Sequence, residues 1–321
     1  LFQAMEPQTK KAKVDSAVES KENKDDGVKI TNFDSWLETN RCNLVPPVCN
    51  KLMYGEQLKV MFCGGKDRNE RTDYHIEEGE EFFWMLKGDM CLKVVEKGER
   101  KDIVIKEGEC YLLPPRIPHS PQRVPDTIGL VVERDRKKTE TDCLRWYVPN
   151  TTDVLWEKYF YCADLGTELP PVINAFKASQ SAKTLTPNLE DGTVLKDAHR
   201  PVKVDLEREL TGPVSFTQWC AQQDQQALQQ GVTMFQGDDF KVTVFKGLSA
   251  GSEAGAVGKS TEYKNAEVYV YQISGSATLT TPAATHDLAS SSMVIVPPGA
   301  PYSCSNKEEG ALRMELVWTT A

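Results

Sequence analysis

The sequence predicts a mainly β protein with two β-barrels in one chain and a few peripheral helices. Short apolar runs separated by glycine-containing turns extend from Leu58 to about Glu133, a pattern typical of an all-β sandwich or barrel. Similar short runs resume near Asp239 and continue to Trp318. The two parts also resemble each other, since FFWMLKGDMCL matches YVYQISGSATL and YLLPPRIPH matches VIVPPGAPY. Such internal similarity indicates one barrel unit that was duplicated.

The order of the remaining patterns predicts the domain boundaries. Leu1–Ala4 precede the candidate initiator Met5 and are interpreted as residues left from cloning. The polar, charged segment that follows has little to bury and is predicted to be a disordered tail. Helices are expected near Phe33–Leu37, Val154–Cys162, Val172–Ala178 and Ser215–Gln230. We therefore predict a tail (1–28), an N-terminal barrel with flanking helices (29–178), a linker (179–212) and a C-terminal barrel (213–321).

Composition excludes several classes of partner. A net charge of -9 and a pI near 5.2 argue against a nucleic-acid surface, which is normally basic. No apolar run approaches the roughly 20 residues that a membrane helix needs, so we expect no membrane contact and a cytosolic location. The nine cysteines are odd in number and contain no C-x-x-C pair. We expect reduced, mostly buried thiols rather than disulfides or structural zinc.

Two of the four histidines are predicted at strand ends in the first barrel. His75 ends the strand TDYHI, and Glu81 begins the next strand, so the two residues are expected to face each other across a hairpin. His119 follows the segment PPRIP, whose prolines restrict the direction of the loop. Together these residues form a candidate metal site with two histidines and one carboxylate.

The spacing of these residues is similar to that of the cupin family of metal-binding barrels. The first cupin motif is matched by His75, Glu81 and Gly88, and the second by Gly108, Pro114 and His119. Many cupins carry another histidine two positions after the first one, where this chain has Glu77. Three protein ligands are therefore expected, and an octahedral ion would keep about three open positions, as in non-haem Fe(II) oxygenases.

Two arginines indicate an acidic substrate. Arg71 lies four residues before His75 and Arg123 four residues after His119, so on extended strands each shares the face of its histidine. A guanidinium group presents planar paired donors that suit a carboxylate. Glu133 could accept a hydrogen bond from a substrate amine or hydroxyl. A substrate that chelates through two adjacent heteroatoms would leave one metal position for dioxygen.

The strings PPVCNKLM, DYHIEEGEE, LKGDM, PHSPQR and GLVVER resemble the animal form of the 3-hydroxyanthranilate 3,4-dioxygenase family. The resemblance extends from about Trp36 onward and is densest from Pro46 to Leu169. It implies one Fe(II) per chain, held by His75, Glu81 and His119, and substrate contacts by Arg71, Arg123, Glu133 and Asn50. It also implies ring opening of 3-hydroxyanthranilate by O2 to 2-amino-3-carboxymuconate semialdehyde, on the kynurenine branch that leads to quinolinate and NAD.

The second barrel is expected to lack a metal. Val268 occupies the position that matches Glu81, Tyr302 the position that matches His119, and Asn306 the position that matches Arg123. Because the duplication supplies two barrels in one chain, we expect a monomer.

Other interpretations of these residues stay open. Glu77, Glu78 and Glu80 are interpreted as turn and surface carboxylates. A different cupin oxygenase or isomerase would fit the same ligands, and a metal-storing or metal-sensing two-barrel protein would need no catalysis.

Overall fold

A computed structural model of the chain describes residues 21–22, 26–45, 49–65, 70–188, 194–248 and 265–321. Strands dominate these residues, and none of their helices has the length and hydropathy to cross a membrane. The first part contains β1 (Lys21–Glu22), β2 (Lys29–Asn32), α1 (Phe33–Asn40), β3 (Asn50–Gly55), β4 (Leu58–Gly64), β5 (Tyr74–Ile76), β6 (Glu81–Lys87), β7 (Met90–Glu96), β8 (Glu99–Ile105), β9 (Glu109–Leu113), β10 (His119–Gln122), β11 (Ile128–Arg134), β12 (Asp142–Tyr147), β13 (Val154–Phe160), α2 (Leu165–Ala178) and α3 (Gln180–Thr184).

The second part begins with a short strand and two short helices and continues as strands. It contains β14 (Val214–Ser215), α4 (Phe216–Gln222), α5 (Gln225–Gln230), β15 (Val232–Gln236), β16 (Phe240–Lys246), β17 (Val268–Ser274), β18 (Ala277–Thr280), β19 (Thr285–Leu288), β20 (Ser292–Val296), β21 (Ser303–Asn306) and β22 (Leu312–Trp318). Single 3-10 turns occupy Arg41–Asn43 and Asp197–His199.

The first barrel consists of two six-stranded antiparallel sheets, in the orders β14-β9-β6-β11-β4-β3 and β13-β12-β5-β10-β7-β8. Alternate side chains fill its interior, among them Cys63, Phe83, Met85 and Val131. The second barrel consists of the sheet β1-β2-β20-β17-β22-β16-β15 and the smaller sheet β19-β18-β21. The mainly β cupin architecture with two barrels, which the sequence predicts, is confirmed.

The two barrels pack against each other through one sheet face each. The largest hydrophobic cluster of the described residues lies between them and joins side chains such as Phe62 and Trp84 to Val244, Tyr271 and Leu316. The rings of Trp84 and Tyr271 have centroids 5.6 Å apart. Strands buried on both faces lose the alternation of polar and apolar residues. This burial explains why β6 reads as the nearly continuous apolar run EFFWML.

Short strands cross the predicted domain boundaries in both directions. β2, expected in the first domain, pairs with β20 of the second barrel, while β14, expected in the second domain, pairs with β9 of the first. These pairings cover sheet edges that would otherwise be open. Most of the predicted tail lies outside the described residues, but Val28 is fully buried. The carboxylate of Asp26 contacts His286 Nε2 at 2.8 Å and accepts a hydrogen bond from Thr281.

Two helix predictions need correction. The segment predicted as a helix at Val154–Cys162 contains the strand β13, in which Trp156 lies opposite Trp146 of β12. A short apolar run fits both the helical and the strand periodicity. This segment forms a strand because it pairs with the edge of β12. The predicted helix over Ser215–Gln230 is two helices, because the backbone is extended at Gln223 and Asp224 caps α5 by accepting the Ala227 N–H. The predicted helix at Val172–Ala178 is confirmed as part of α2.

All nine cysteines lie in the described residues and are free thiols, and seven of them are buried. This agrees with the expectation from their odd number and spacing. Burial raises the pKa of several of these thiols, for example that of Cys143 to about 12. Such thiols stay protonated and pack as small apolar side chains.

Candidate metal centre

The two sheets of the first barrel bring the three predicted ligands together. His75 in β5 and His119 in β10 are direct neighbours across one sheet. Glu81 begins β6 in the opposite sheet, so it faces the histidines across the barrel interior rather than across a hairpin, as the sequence suggested. The segment between β5 and β6 crosses from one sheet to the other instead of reversing within one. Its Glu80 carboxylate accepts N–H groups of residues 238–240 in the second barrel, which fixes this crossing.

A fourth residue joins the predicted ligands. Ligand atoms of His75, Glu77, Glu81 and His119 all lie within 4.8 Å of one another, and this is the single such group in the part of the chain that the structure describes. His75 Nδ1 lies 3.9 Å from Glu81 Oε1 and 4.0 Å from Glu77 Oε1. Glu77 was interpreted as a turn or surface carboxylate, but only 3% of it is exposed. The same correction applies to Glu80, which is 2% exposed.

Hydrogen bonds fix which nitrogen of each histidine faces the group. His119 Nδ1 lies 2.9 Å from the carbonyl oxygen of Ile117 and must donate, because a carbonyl only accepts. His75 Nε2 lies 2.7 Å from Asp142 Oδ2 and likewise donates to a carboxylate. In the neutral rings, His119 Nε2 and His75 Nδ1 therefore carry free lone pairs. Metal-ligating histidines in proteins are oriented by such partners.

Two carboxylate oxygens at the centre of the group lack partners. Glu77 Oε1 and Glu81 Oε1 are buried and accept no hydrogen bond. His119 Nε2 lies 2.6 Å from Glu81 Oε1, but this contact lacks hydrogen-bond geometry. Unpaired buried oxygens are costly, and a cation would satisfy both. Two imidazole nitrogens with one or two carboxylates suit a divalent transition metal such as Fe2+.

The two carboxylates have pKa values displaced in opposite directions. Burial raises the pKa of Glu81, but the positive charge of His119 and its close contact with the Glu81 carboxylate outweigh burial and hold that pKa far below its usual value. Burial raises the pKa of Glu77 well above its usual value, and the neighbouring carboxylates Glu133 and Glu81 add to this, although Arg136 opposes it. A divalent cation at this position would favour the ionised form of both carboxylates.

A network of ion pairs surrounds the ligands on one side. The guanidinium of Arg136 lies 2.6 Å from Glu77, 2.5 Å from Glu133 and 3.0 Å from Asp142. Since Asp142 also holds His75, one arginine connects three carboxylates around the candidate metal position. Each of these side chains is at least nine-tenths buried.

The two predicted carboxylate-binding arginines are both buried, but they differ in their partners. Arg71 forms an ion pair with Asp73. Arg123 places Nη1 at 3.1 Å from Met90 Sδ, and its Nε is buried without a hydrogen-bond partner. Arg123 is therefore the guanidinium with free donors, while Arg71 is largely neutralised by its neighbour.

The remaining predicted residues line a cavity beside the ion-pair network. Asn50 and Glu133 border this cavity of about 330 Å³ together with Arg136, Met61 and residues 162–167. The four candidate ligands are not among its lining residues. Arg136 and Glu133 stand between the cavity and the ligand group, since Arg136 contacts Glu77 on the other side.

Known proteins identify the family of this chain. A family model described as 3-hydroxyanthranilic acid dioxygenase matches residues 26–177. The 3-hydroxyanthranilate 3,4-dioxygenase of Nematostella vectensis is 41% identical over 88% of this chain and 96% of its own length. The protein of that name from Homo sapiens is 43% identical over 88% of this chain and 94% of its own length. The chain belongs to the 3-hydroxyanthranilate 3,4-dioxygenase family. Among solved structures, a cupin barrel protein from Leptotrichia buccalis aligns over 91% of this chain and 96% of its own, at 8% identity and a TM-score of 0.44, too low to add to this relationship.

For this member of the 3-hydroxyanthranilate 3,4-dioxygenase family, the sequence did not reveal three residues of the site. Glu77 had a signal, because it occupies the position of an additional cupin histidine, but it was interpreted as a turn residue. Arg136 and Asp142 carried no recognisable signal. Their role depends on the pairing of β5 with β12, which brings Asp142 beside His75.

Proposed function

We propose that this chain is an Fe(II)-dependent dioxygenase that opens the ring of 3-hydroxyanthranilate with O2 to give 2-amino-3-carboxymuconate semialdehyde. The observation that carries the proposal is the pair of histidines with locked tautomers facing two buried, unpaired carboxylate oxygens. The names of the family's other members supply the substrate. In this interpretation the chain acts on the kynurenine branch that leads to quinolinate and NAD.

One iron per chain would be held by His75 Nδ1, Glu81 and His119 Nε2. Glu77 would stay beside the metal, since its other oxygen is held by Arg136. The aminophenol group of the substrate would chelate this iron, which would supply a path for electron transfer from the substrate to O2. Asp142 and the Ile117 carbonyl hold the imidazole rings of His75 and His119 in place. Little side-chain motion of these two residues therefore remains to be restricted when the substrate binds.

The substrate carboxylate would bind Arg123, whose Nε has no other partner, and Arg71 would contact it by exchanging part of its ion pair with Asp73. Glu133 would accept a hydrogen bond from the substrate amine or hydroxyl, and it must exchange part of its contact with Arg136 to do so. Burial raises the pKa of Glu133, while Arg136 opposes the rise. A carboxylate with a raised pKa can take up a proton from a chelating hydroxyl. Asn50 would border the entry path.

The test is anaerobic reconstitution with one equivalent of Fe(II), followed by 3-hydroxyanthranilate and air. Oxygen uptake and formation of the semialdehyde chromophore are expected in equal amounts. His119→Ala is expected to lose iron and activity together. Arg123→Ala is expected to keep its iron but bind substrate about 30- to 1000-fold more weakly, the cost of about 2–4 kcal/mol for truncating one partner of a buried charged pair.

Two results would contradict the proposal. Stoichiometric iron with no turnover would exclude the activity, and equal loss of iron in both variants would exclude the separate roles of His119 and Arg123. Faster reaction with a related diphenol would favour a different oxygenase.

We also propose that the protein is a cytosolic monomer. The nine free thiols support a reducing compartment. A monomer is supported by the packing of the second barrel over one sheet of the first, which covers a face that a dimer would otherwise bury. The large apolar side chains that stay exposed are scattered, among them Val45, Val104 and Leu185. Light scattering at micromolar concentration is expected to give one chain mass, and a doubled mass would refute this.

A further inference from the structure

A second cavity, of about 430 Å³, lies on the outer face of the sheet that carries both histidines. It is bordered by the β7–β8 hairpin, the β12–β13 turn and the segment that includes residues 197–206. Part of the predicted linker thus forms a wall of a cavity rather than a simple connection. Its volume falls within the range of small-molecule sites in proteins.

This cavity is separate from the candidate metal centre. In β12, Leu144 lies opposite His75, whereas Arg145 lies opposite Tyr74. Successive side chains of a strand point to opposite faces. Arg145 and Tyr147 therefore project away from the barrel interior, on the side of the sheet opposite to His75, and both line the cavity.

The cavity has an excess of positive charge. Only 3% of Arg145 is exposed, and its guanidinium contacts Glu157 and the hydroxyl groups of Tyr159 and Tyr147. Arg200 is shared between Glu157 and Asp197. Lys203 also lines the cavity and pairs with no described carboxylate. Three cations against two carboxylates leave a net charge of +1 in a chain whose net charge is -9.

Most of the remaining wall is apolar. Val95, Val154 and Val204 line the cavity beside the ring of Tyr147, and Leu206 contributes a side chain that is 55% exposed. A simple inorganic anion would leave these groups in contact with water, and a neutral apolar molecule would leave Lys203 without a partner. A ligand with one anionic end and an apolar body satisfies both.

We propose that this cavity is a second, non-catalytic binding site for a small carboxylic acid with an apolar body. The carboxylate contacts Lys203, beside the guanidinium groups of Arg145 and Arg200, and the apolar part lies against Val95, Val154 and Leu206. The proposal is independent of the proposed function, since no ligand of the metal centre takes part.

The test is calorimetric titration of the full chain with phenylacetate at low ionic strength, beside the neutral isostere phenylacetamide. Lys203→Ala is expected to weaken phenylacetate binding about tenfold, the loss of one charge-assisted hydrogen bond. Because Lys203 is exposed, its replacement leaves the fold intact. Lys196→Ala is the matched control: this lysine is also exposed and lies in the same segment, but it does not line the cavity.

Arg123→Ala separates this site from the metal centre. Binding that is weakened by Lys203→Ala and unchanged by Lys196→Ala and Arg123→Ala supports the proposal. It is overturned if phenylacetate does not bind, if phenylacetamide binds equally well, or if the loss follows Arg123 rather than Lys203.

Discussion

The contact between the two barrels contains one carboxylate whose protonation is expected to control stability. Glu267, directly before β17, is 1% exposed, and its carboxylate accepts the N–H of Leu58 in the first barrel at 2.8 Å. The side-chain oxygen of Gln57 accepts a hydrogen bond from the backbone N–H of Glu267. Burial raises the pKa of Glu267 from 4.5 to about 7, and the nearby Glu56 adds to the rise.

The sign and size of the effect follow from this pKa. A carboxyl group whose pKa is higher in the folded protein binds its proton more tightly there than in the unfolded chain. Its contribution to the free energy of unfolding is therefore fully present below pH 4.5 and is lost as the pH rises through about 7. Each pH unit between the two pKa values corresponds to about 1.4 kcal/mol. The rise from 4.5 to about 7 therefore predicts a loss of about 3 kcal/mol between these limits.

Glu267→Gln removes the titration and keeps an oxygen for the Leu58 N–H. Urea unfolding measured from pH 4.5 to 8.5 is expected to give similar stability for both proteins at the acidic end. At the alkaline end, the variant is expected to be more stable by about 3 kcal/mol. Glu309→Gln, at an exposed position, is the control and should change little. A difference between wild type and Glu267→Gln that does not vary with pH would refute the reasoning.

Three further variants test the contacts that join the barrels and shape their turns. Glu80→Ala leaves the three N–H groups of residues 238–240 unpaired and is expected to lower the free energy of unfolding in urea by about 3 kcal/mol. The control Glu78→Ala should lower it little, and an equal cost would contradict a role of the Glu80 hydrogen bonds in stability. Asp26→Asn is expected to cost about 1 kcal/mol at pH 7. Burial raises the pKa of Asp26, but its hydrogen bonds to His286 and Thr281 outweigh burial and lower the pKa overall. The cost of Asp26→Asn should therefore shrink as the pH falls below 3.8, and a cost that does not vary with pH would argue against the contact of Asp26 with His286. Gly275→Ala, at φ +68°, would place its new Cβ 2.8 Å from Ala311 Cα and is expected to lower the melting temperature. Gly212→Ala, with open space around its new Cβ, should not lower it, and equal effects of the two variants would refute the steric argument.

The sequence located the candidate ligands but not the geometry between them. His75, Glu81 and His119 were found because the spacing of the two motifs reflects strand lengths and turns, which are local properties of the chain. Their predicted arrangement was wrong in one respect, because a hairpin between β5 and β6 and a crossing between sheets look alike over the four residues that separate these strands. Glu77 was missed because its burial depends on Arg136, which lies far along the chain.

By itself, the sequence determined the mainly β class, the duplication of the barrel and the three candidate ligands, because strand periodicity, turn glycines and motif spacing are all written within short segments. Only the tertiary structure decided which strands pair, that β2 and β14 each join the other barrel, and which nitrogen of each histidine faces the metal position. These features depend on hydrogen bonds and ion pairs between distant residues, such as Asp142 with His75. No local pattern encodes such pairs, because each partner is an ordinary polar residue until the fold brings the two together.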